Sequence, residues 1–254
     1  MRTLLILVDG MRPDAITDIP QAQKVLAESA HTMCARTVFP SMTLTCHMSL
    51  FHSVEPEKHG TMGNDFVPMA QPIKGLFDVL AQEGLRNAFF YGWEKLRDLC
   101  QPGALDYSCL CTGKFIGREA MNDRLTDMTI SYLQENRADF TFLYLGYTDW
   151  AGHKYGWMSD GYDKAMCNSW ENIEKVLSSL PEDYAVIITA DHGGHAYNHG
   201  TDLPEDMTIP MLLWGKGIDK KRNLDGASIK DIAPTITKLL GVKADENWEG
   251  RSLL

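Results

Sequence analysis

The sequence has 254 residues and a formal net charge of −10 at pH 7, from 34 acidic and 24 basic side chains. No basic block interrupts this balance, which argues against a protein that binds polymeric nucleic acid through a positive patch. A hydrophobic fraction of 44% and a charged fraction of 23% are ordinary for a globular protein and exclude disorder, collagen or coiled coil as the main state. The length leaves room for one large domain, and we expect residues 1–254 to form a single domain.

Short apolar runs alternate with amphipathic segments along the whole chain, a pattern typical of an α/β fold with a mostly parallel sheet between helices. In chain order, the predicted elements are strand 3–8, helix 21–30, helix 73–83, strand 87–91, helix 118–136, strand 140–146, helix 162–180, strand 185–190, strand 209–214 and helix 229–240. The segment from about 93 to 117 carries Pro102 and Gly103. It is predicted to be an irregular excursion, either a small lid over a site or a plain surface loop.

The first apolar run ends at Asp9 and is too short for the hydrophobic region of a signal peptide. No later stretch approaches the roughly 20 apolar residues that a transmembrane helix requires. We therefore expect a cytoplasmic protein without membrane contact. Among the six cysteines only Cys109 and Cys111 lie close together, so we expect reduced thiols instead of a disulfide framework.

Three predicted strands are followed by clusters of aspartate and histidine. Because ligands collect beyond the carboxyl ends of parallel strands, these clusters are expected to meet at one edge of the sheet. Aspartate with histidine, and without cysteine, is a ligand set that suits one or two zinc-like divalent ions. A lone Asp at a strand end is more often a helix cap, but several such groups on one rim need a cation to offset their repulsion. The clusters comprise Asp9, Asp149, His153, Asp191, His192, His195 and His199.

A nucleophile is expected in segment 39–50, which offers hydroxyl groups on Ser41, Thr43, Thr45 and Ser49. Composition does not choose among them. If the segment is a turn that leads into a helix, Thr43 lies near the helix N-terminus, where free backbone N–H groups favour an anion such as phosphate. The alternative is that Ser41 or Thr43 simply caps the helix.

Taken in order, these motifs resemble the nucleotide pyrophosphatase/phosphodiesterase family of the alkaline phosphatase superfamily. The matching stretches are residues 7–14, 39–43, 55–64, 148–156, 191–200, 231–235 and 248–253. The resemblance therefore spans nearly the whole chain. It implies a three-layer α/β sandwich, alkaline phosphatase-like, in which helices flank a mostly parallel central sheet.

The resemblance also implies a two-metal site, with Zn²⁺ expected and Mn²⁺ as the alternative. In that scheme the phosphate is attacked by Thr43, and Asn64 stabilises its oxygens. His195 and His59 are expected to support the structure without binding metal. One ion is assigned to Asp149, His153 and His199, and the other to Asp9, Thr43, Asp191 and His192.

The function implied is a metal-dependent phosphodiesterase or pyrophosphatase that acts on a small phosphoryl ester through a phospho-threonine intermediate. A phosphomonoesterase, a phosphonate hydrolase or a phosphoryl transferase could use the same site, and a metal-stabilised binding protein is a more distant alternative. A sulfatase is disfavoured because the nucleophile segment lacks a C/S-x-P-x-R motif. A monoesterase would need a further cation, for which Arg12, Lys58 and Lys154 are candidates.

The sequence departs from nucleotide-cleaving relatives after the nucleophile, where it reads Leu44-Thr45-Cys46 instead of an aromatic residue followed by Pro-Asn. The usual stacking wall for a nucleobase is therefore missing at this position. Aromatic residues elsewhere could replace it. The candidates are Tyr91, Trp93, Trp150, Tyr155 and Trp157.

Overall fold

The computed structural model describes residues 1–254, and its fold is built around one seven-stranded sheet. The strands are β1 Arg2–Val8, β2 Ala30–Arg36, β3 Asn87–Tyr91, β4 Tyr107–Leu110, β5 Phe140–Leu145, β6 Tyr184–Thr189 and β7 Thr208–Gly215. Their order across the sheet is β2-β7-β6-β1-β5-β3-β4. The strand β7 runs antiparallel to both β6 and β2, and every other pair is parallel, so the prediction of a mostly parallel sheet is confirmed.

Helices cover both faces of this sheet. They are α1 Pro20–Glu28, α2 Thr43–His52, α3 Pro56–His59, α4 Leu76–Gln82, α5 Arg118–Glu135, α6 Tyr147–Tyr155, α7 Asp160–Ser179, α8 Pro204–Met207 and α9 Ile232–Leu240. Helices α2, α4 and α9 pack together in one layer, and α1, α5 and α6 pack around α7 in the other. The predicted α/β sandwich is thus confirmed. None of the helices is both long and apolar enough to cross a membrane.

The core lies in the three central strands. Every residue of β5 and β6 is buried, and so is every residue of β1 after Arg2. Parallel strands covered on both faces read as continuous apolar runs, which is why their positions could be predicted from sequence. Large side chains such as Phe142 and Trp170 fill the space between sheet and helices.

The structure adds two strands that the sequence analysis did not predict, and both lie at the edges of the sheet. Only two of the seven residues of β2 are buried, and β4 has four residues. The strand β4 falls within segment 93–117, which was expected to be irregular. Part of that segment therefore extends the sheet, next to a short 3-10 turn at Glu94–Leu99.

The sheet order places the three predicted ligand clusters next to one another. Strands β6, β1 and β5 are adjacent and parallel, so the residues that follow them share one edge. Asp9 follows β1, Asp149 lies in the first turn of α6 directly after β5, and Asp191 follows β6.

Candidate metal centre

Three carboxylates converge at this edge. Asp9 and Asp191 are buried, and Asp9 Oδ1, Asp149 Oδ1 and Asp191 Oδ2 are buried atoms without a hydrogen-bond partner. Burial, reinforced by the charge of Asp149, raises the pKa of Asp191 to about 8. Burial also raises the pKa of Asp9, with help from the other two carboxylates, and that of Asp149. A cation bound among these carboxylates would offset their desolvation and repulsion and favour their ionised form.

Three histidines present the same ring nitrogen towards these carboxylates. In each ring Nδ1 lies against a backbone carbonyl oxygen, which can only accept a hydrogen bond, so Nδ1 carries the proton and Nε2 keeps its lone pair. Burial lowers the pKa of both His192 and His199 to about 3, so both rings are neutral at physiological pH. Neutral imidazoles oriented in this way are ready to bind a metal. The anchoring bonds are His192 to Gly193 (2.8 Å), His199 to Ser41 (2.8 Å) and His153 to Tyr197 (2.9 Å).

The donor atoms form two overlapping groups, each within 4.8 Å. The first group is Asp149, His153 and His199, as assigned from the resemblance; the second is Asp9, Asp149 and His192. Asp149 therefore belongs to both groups, where the sequence analysis gave it to one ion only. The remaining carboxylate of the assigned set, Asp191, places its Oδ2 3.4 Å from His192 Nε2.

Segment 39–50, in which a nucleophile was predicted, places the Thr43 hydroxyl beside these histidines and carboxylates. Thr43 is the first residue of α2, and its Oγ1 lies 3.2 Å from His192 Nε2, so the hydroxyl donates to that lone pair. Neither Ser41 nor Thr43 caps the helix, because the N-cap residue is Met42 and no side chain accepts a capping bond. Instead the hydroxyl of Ser41 donates to the carbonyl of Thr201 at 2.8 Å. The capping alternative for both hydroxyls is therefore wrong.

Asn64 reaches the same site from the loop after α3. Its Oδ1 accepts a 3.0 Å hydrogen bond from the backbone N–H of Leu44, in the first turn of α2. This contact fixes the amide so that Nδ2, a donor, is left for the cavity beside Thr43.

Two further histidines stand apart from the donor groups. His195 Nδ1 lies 2.7 Å from Asp206 Oδ1, and it belongs to neither group. His59 is buried, with Nε2 3.0 Å from Ser49 Oγ and Nδ1 accepting from the backbone N–H of Thr61. Both side chains tie loops to the body of the protein.

A cavity of about 190 Å³ opens beside Thr43. Of the aromatic candidates only Trp93 and Trp150 line it. The structure adds Tyr144, whose hydroxyl donates to Asp9 Oδ2. The lining residues are Asp9, Thr43, Asn64, Trp93, Arg118, Met121, Tyr144, Gly146, Asp149, Trp150, His153 and His199.

The three cations proposed from the sequence do not line this cavity. They are engaged elsewhere: Arg12 with Asp14 and the carbonyl of Gly194, Lys58 with Glu249, and Lys154 over the rings of Trp150 and Tyr155. Arg118, which the sequence analysis overlooked, does line it. Its signal in the sequence was a cation in the first turn of a predicted helix, where the helix dipole disfavours positive charge.

Comparisons with known proteins identify the family of this chain. The family model for type I phosphodiesterase / nucleotide pyrophosphatase matches residues 3–210. A phosphopentomutase of Clostridium kluyveri is 33% identical over 121 residues, which are 46% of this chain and 30% of that protein. A 2,3-bisphosphoglycerate-independent phosphoglycerate mutase of Clostridioides difficile is 28% identical over 141 residues, or 51% of this chain and 26% of that protein. The chain spans less than half the length of these curated relatives.

Solved structures share the fold at low sequence identity. Murine ectonucleotide pyrophosphatase / phosphodiesterase 5 superposes with a TM-score of 0.80 at 14% identity, covering 98% of each chain. A 2-O GAG sulfatase gives a TM-score of 0.82 at 13% identity, covering 99% of this chain and 73% of the other. Since the family model matches most of the chain, this protein belongs to the type I phosphodiesterase / nucleotide pyrophosphatase family.

Proposed function

We propose that this protein is a metal-dependent hydrolase that cleaves a phosphodiester or phosphoanhydride with Thr43 as the nucleophile. One observation carries the proposal: the Thr43 hydroxyl lies at the N-terminus of α2 and 3.2 Å from His192 Nε2, inside the cluster of carboxylates and imidazoles. A hydroxyl buried among metal-type donors is the arrangement that activates a threonine for attack.

The donor set fits two divalent ions. Three orphaned carboxylate oxygens and three imidazole lone pairs face one another, and nitrogen with oxygen donors suits Zn²⁺, or Mn²⁺ as the alternative. The holders would be Asp149, His153 and His199 for one ion and Asp9, Thr43, Asp191 and His192 for the other, with Asp149 shared. When bound, such ions lower the pKa of a hydroxyl and neutralise charge on a phosphoryl group.

Side chains and backbone groups of the protein itself carry out the other steps of the proposed reaction. The Thr43 hydroxyl gives its proton to solvent and its oxygen forms a bond to phosphorus, while the bond to the leaving oxygen breaks. The leaving oxygen takes up a proton from solvent, and phospho-Thr43 remains. Water then cleaves the bond between phosphorus and the Thr43 oxygen and restores the hydroxyl. Throughout, Asn64 Nδ2 and the free N–H groups at the start of α2 donate to the phosphoryl oxygens, on which negative charge builds.

A second candidate is phosphoryl transfer or monoester hydrolysis at the same site. The similarity to two mutases favours it, since those proteins are named for the movement of a phosphoryl group. A phosphonate hydrolase would use the same cradle. We further propose a small-molecule substrate and a cytoplasmic location.

The test compares turnover of bis(4-nitrophenyl) phosphate with that of 4-nitrophenyl phosphate by zinc-loaded protein. We expect a ratio above one and a loss of at least about 1,000-fold in kcat for Thr43→Ala with unchanged metal content. Thr43→Ser keeps a hydroxyl and should retain measurable turnover. The matched control is Thr45→Ala in the same helix, whose buried hydroxyl has no partner.

Three outcomes decide between the readings. Most activity retained by Thr43→Ala rejects the nucleophile. A ratio below one moves the assignment to monoester chemistry. An inactive but metal-loaded wild type supports a binding protein instead.

A further inference from the structure

The cavity beside Thr43 contains one positively charged side chain. Arg118 is the first residue of α5 and the only lysine or arginine among the lining residues. It takes part in no salt bridge, although eleven contacts between a lysine or arginine and a carboxylate occur elsewhere in the molecule. A partly buried guanidinium without a carboxylate partner is a strong attractor for an anion.

Its position is fixed by neutral contacts. A Cβ on Gly113 would lie 2.7 Å from Arg118 Cδ, so the stem of the side chain lies directly against that glycine. On the other side, Nη1 contacts Met121 Sδ at 4.0 Å. Neither contact satisfies the charge. The arginine also opposes the dipole of α5, so helix stability does not explain it.

Arg118 lines the same cavity as Asp149, His153 and His199 of the donor cluster. Lys95, two residues after Trp93, is not among the lining residues, and its Nζ lies 2.7 Å from Asp65 Oδ1. The free positive charge in the cavity therefore belongs to Arg118 alone.

The other walls are apolar. Trp93, Met121 and Trp150 line the cavity with Arg118. A ligand that fits has a compact organic body for the indole rings and an anionic group for the guanidinium. The donor cluster meanwhile takes the phosphoryl group that reacts.

We propose that Arg118 determines specificity by binding a second negative charge of the substrate, beyond the single charge of a phosphodiester. This inference rests on the proposed function. The second charge has two chemical sources: the additional oxygen charge of a phosphomonoester, or the neighbouring phosphate of a phosphoanhydride. In both cases the guanidinium neutralises charge next to the reacting phosphorus.

The test measures kcat/KM on bis(4-nitrophenyl) phosphate, 4-nitrophenyl phosphate and adenosine diphosphate. Arg118→Gln should lower kcat/KM about tenfold or more on at least one doubly charged substrate and less than about threefold on the diester. Arg118→Lys should recover much of the loss. Arg124→Gln, on the exposed side of the same helix, is the matched control and should leave all three values unchanged.

A loss on the monoester alone places the second charge on the reacting phosphorus, and a loss on adenosine diphosphate alone places it on the neighbouring phosphate. An equal effect on all three substrates, or none, overturns the inference. Binding gives an independent readout: in metal-loaded Thr43→Ala protein, quenching of tryptophan fluorescence by pyrophosphate should require Arg118. Turnover that survives Thr43→Ala would reject the proposed function instead, and this binding measurement would still test Arg118.

Discussion

The imidazole rings of His192 and His199 stack in parallel, with centroids 3.7 Å apart and an interplanar angle of 11°. They belong to opposite ends of the loop that follows β6, so this loop folds back on itself to bring two donors together. Stacked rings at this distance are tolerated because both are neutral; two imidazolium ions would repel each other. The loop therefore holds two neutral rings side by side and disfavours their protonation.

Divalent metal should stabilise the protein against heat. Metal binds the clustered oxygens of the folded state and relieves their repulsion, and saturation at 100 times the dissociation constant contributes about 2.7 kcal/mol. For a chain of this size we expect Tm to rise by roughly 5 to 10 °C. Differential scanning fluorimetry of protein stripped of metal by a chelator, with Zn²⁺, Mn²⁺ or Mg²⁺ then added, measures this shift in Tm. No shift with any ion would contradict the metal centre.

Replacing Asp149 should affect both donor groups together, because its carboxylate belongs to each. We expect Asp149→Asn to reduce bound metal from two ions per chain to one or none and to abolish turnover. Metal content by mass spectrometry checks this result. The control is Asp14→Asn, which alters an exposed carboxylate paired with Arg12. If Asp149→Asn still held two ions, the shared role would be wrong.

Asn64 should contribute to turnover through its side-chain amide. Asn64→Asp keeps an oxygen for the Leu44 N–H but replaces the donor Nδ2 with a negative charge beside the phosphoryl site. We expect kcat to fall by about 100- to 1,000-fold, as when a donor to a developing oxyanion is removed. Steady-state kinetics at constant metal content measures this. A change in KM with an unchanged kcat would show that Asn64 contributes to substrate binding only.

Stability should depend on pH through His59. Burial lowers its pKa from 6.5 to about 4, so below pH 6.5 the unfolded chain takes up a proton that the folded protein refuses. The free energy of unfolding therefore falls as pH drops from about 6.5 to about 4, by at most about 3 kcal/mol for this group. Urea unfolding of chelated protein, compared with His59→Asn, isolates the effect. In the variant the asparagine oxygen can accept from Thr61 N–H, and an unchanged pH slope would exclude His59 as its source.

The central part of the fold could be predicted from sequence because its signals are local. Continuous apolar runs at β1, β5 and β6 ended in polar clusters, and the parallel order brought those clusters to one edge. The edge strands β2 and β4 could not be found this way, because their pairing depends on neighbours far along the chain. Helix α6 was not predicted either, because the polar run that carries Asp149 and His153 has no clear helical period. The two residues are nevertheless four apart, which is the spacing of adjacent helical turns.

The residue types of the candidate site could be predicted from sequence, but the membership of Asp149 in two donor groups could not. Residue types indicated which side chains are candidate ligands, and only the distances revealed that Asp149 lies in both groups. Arg118 was not predicted as a site residue because it lies far from the Asp and His motifs in sequence. It reaches the cavity only because α5 packs against α6 and α7.

The contacts of Ser41 link two parts of the site that are distant in sequence. Its carbonyl accepts from His199, its hydroxyl donates to Thr201, and that same oxygen accepts from the backbone N–H of Gly200. Two residues later the chain reaches Thr43. Thermodynamic reciprocity applies to this link: any factor by which a metal ion at His199 changes the affinity for a ligand at Thr43 is also the factor by which that ligand changes the affinity for the metal.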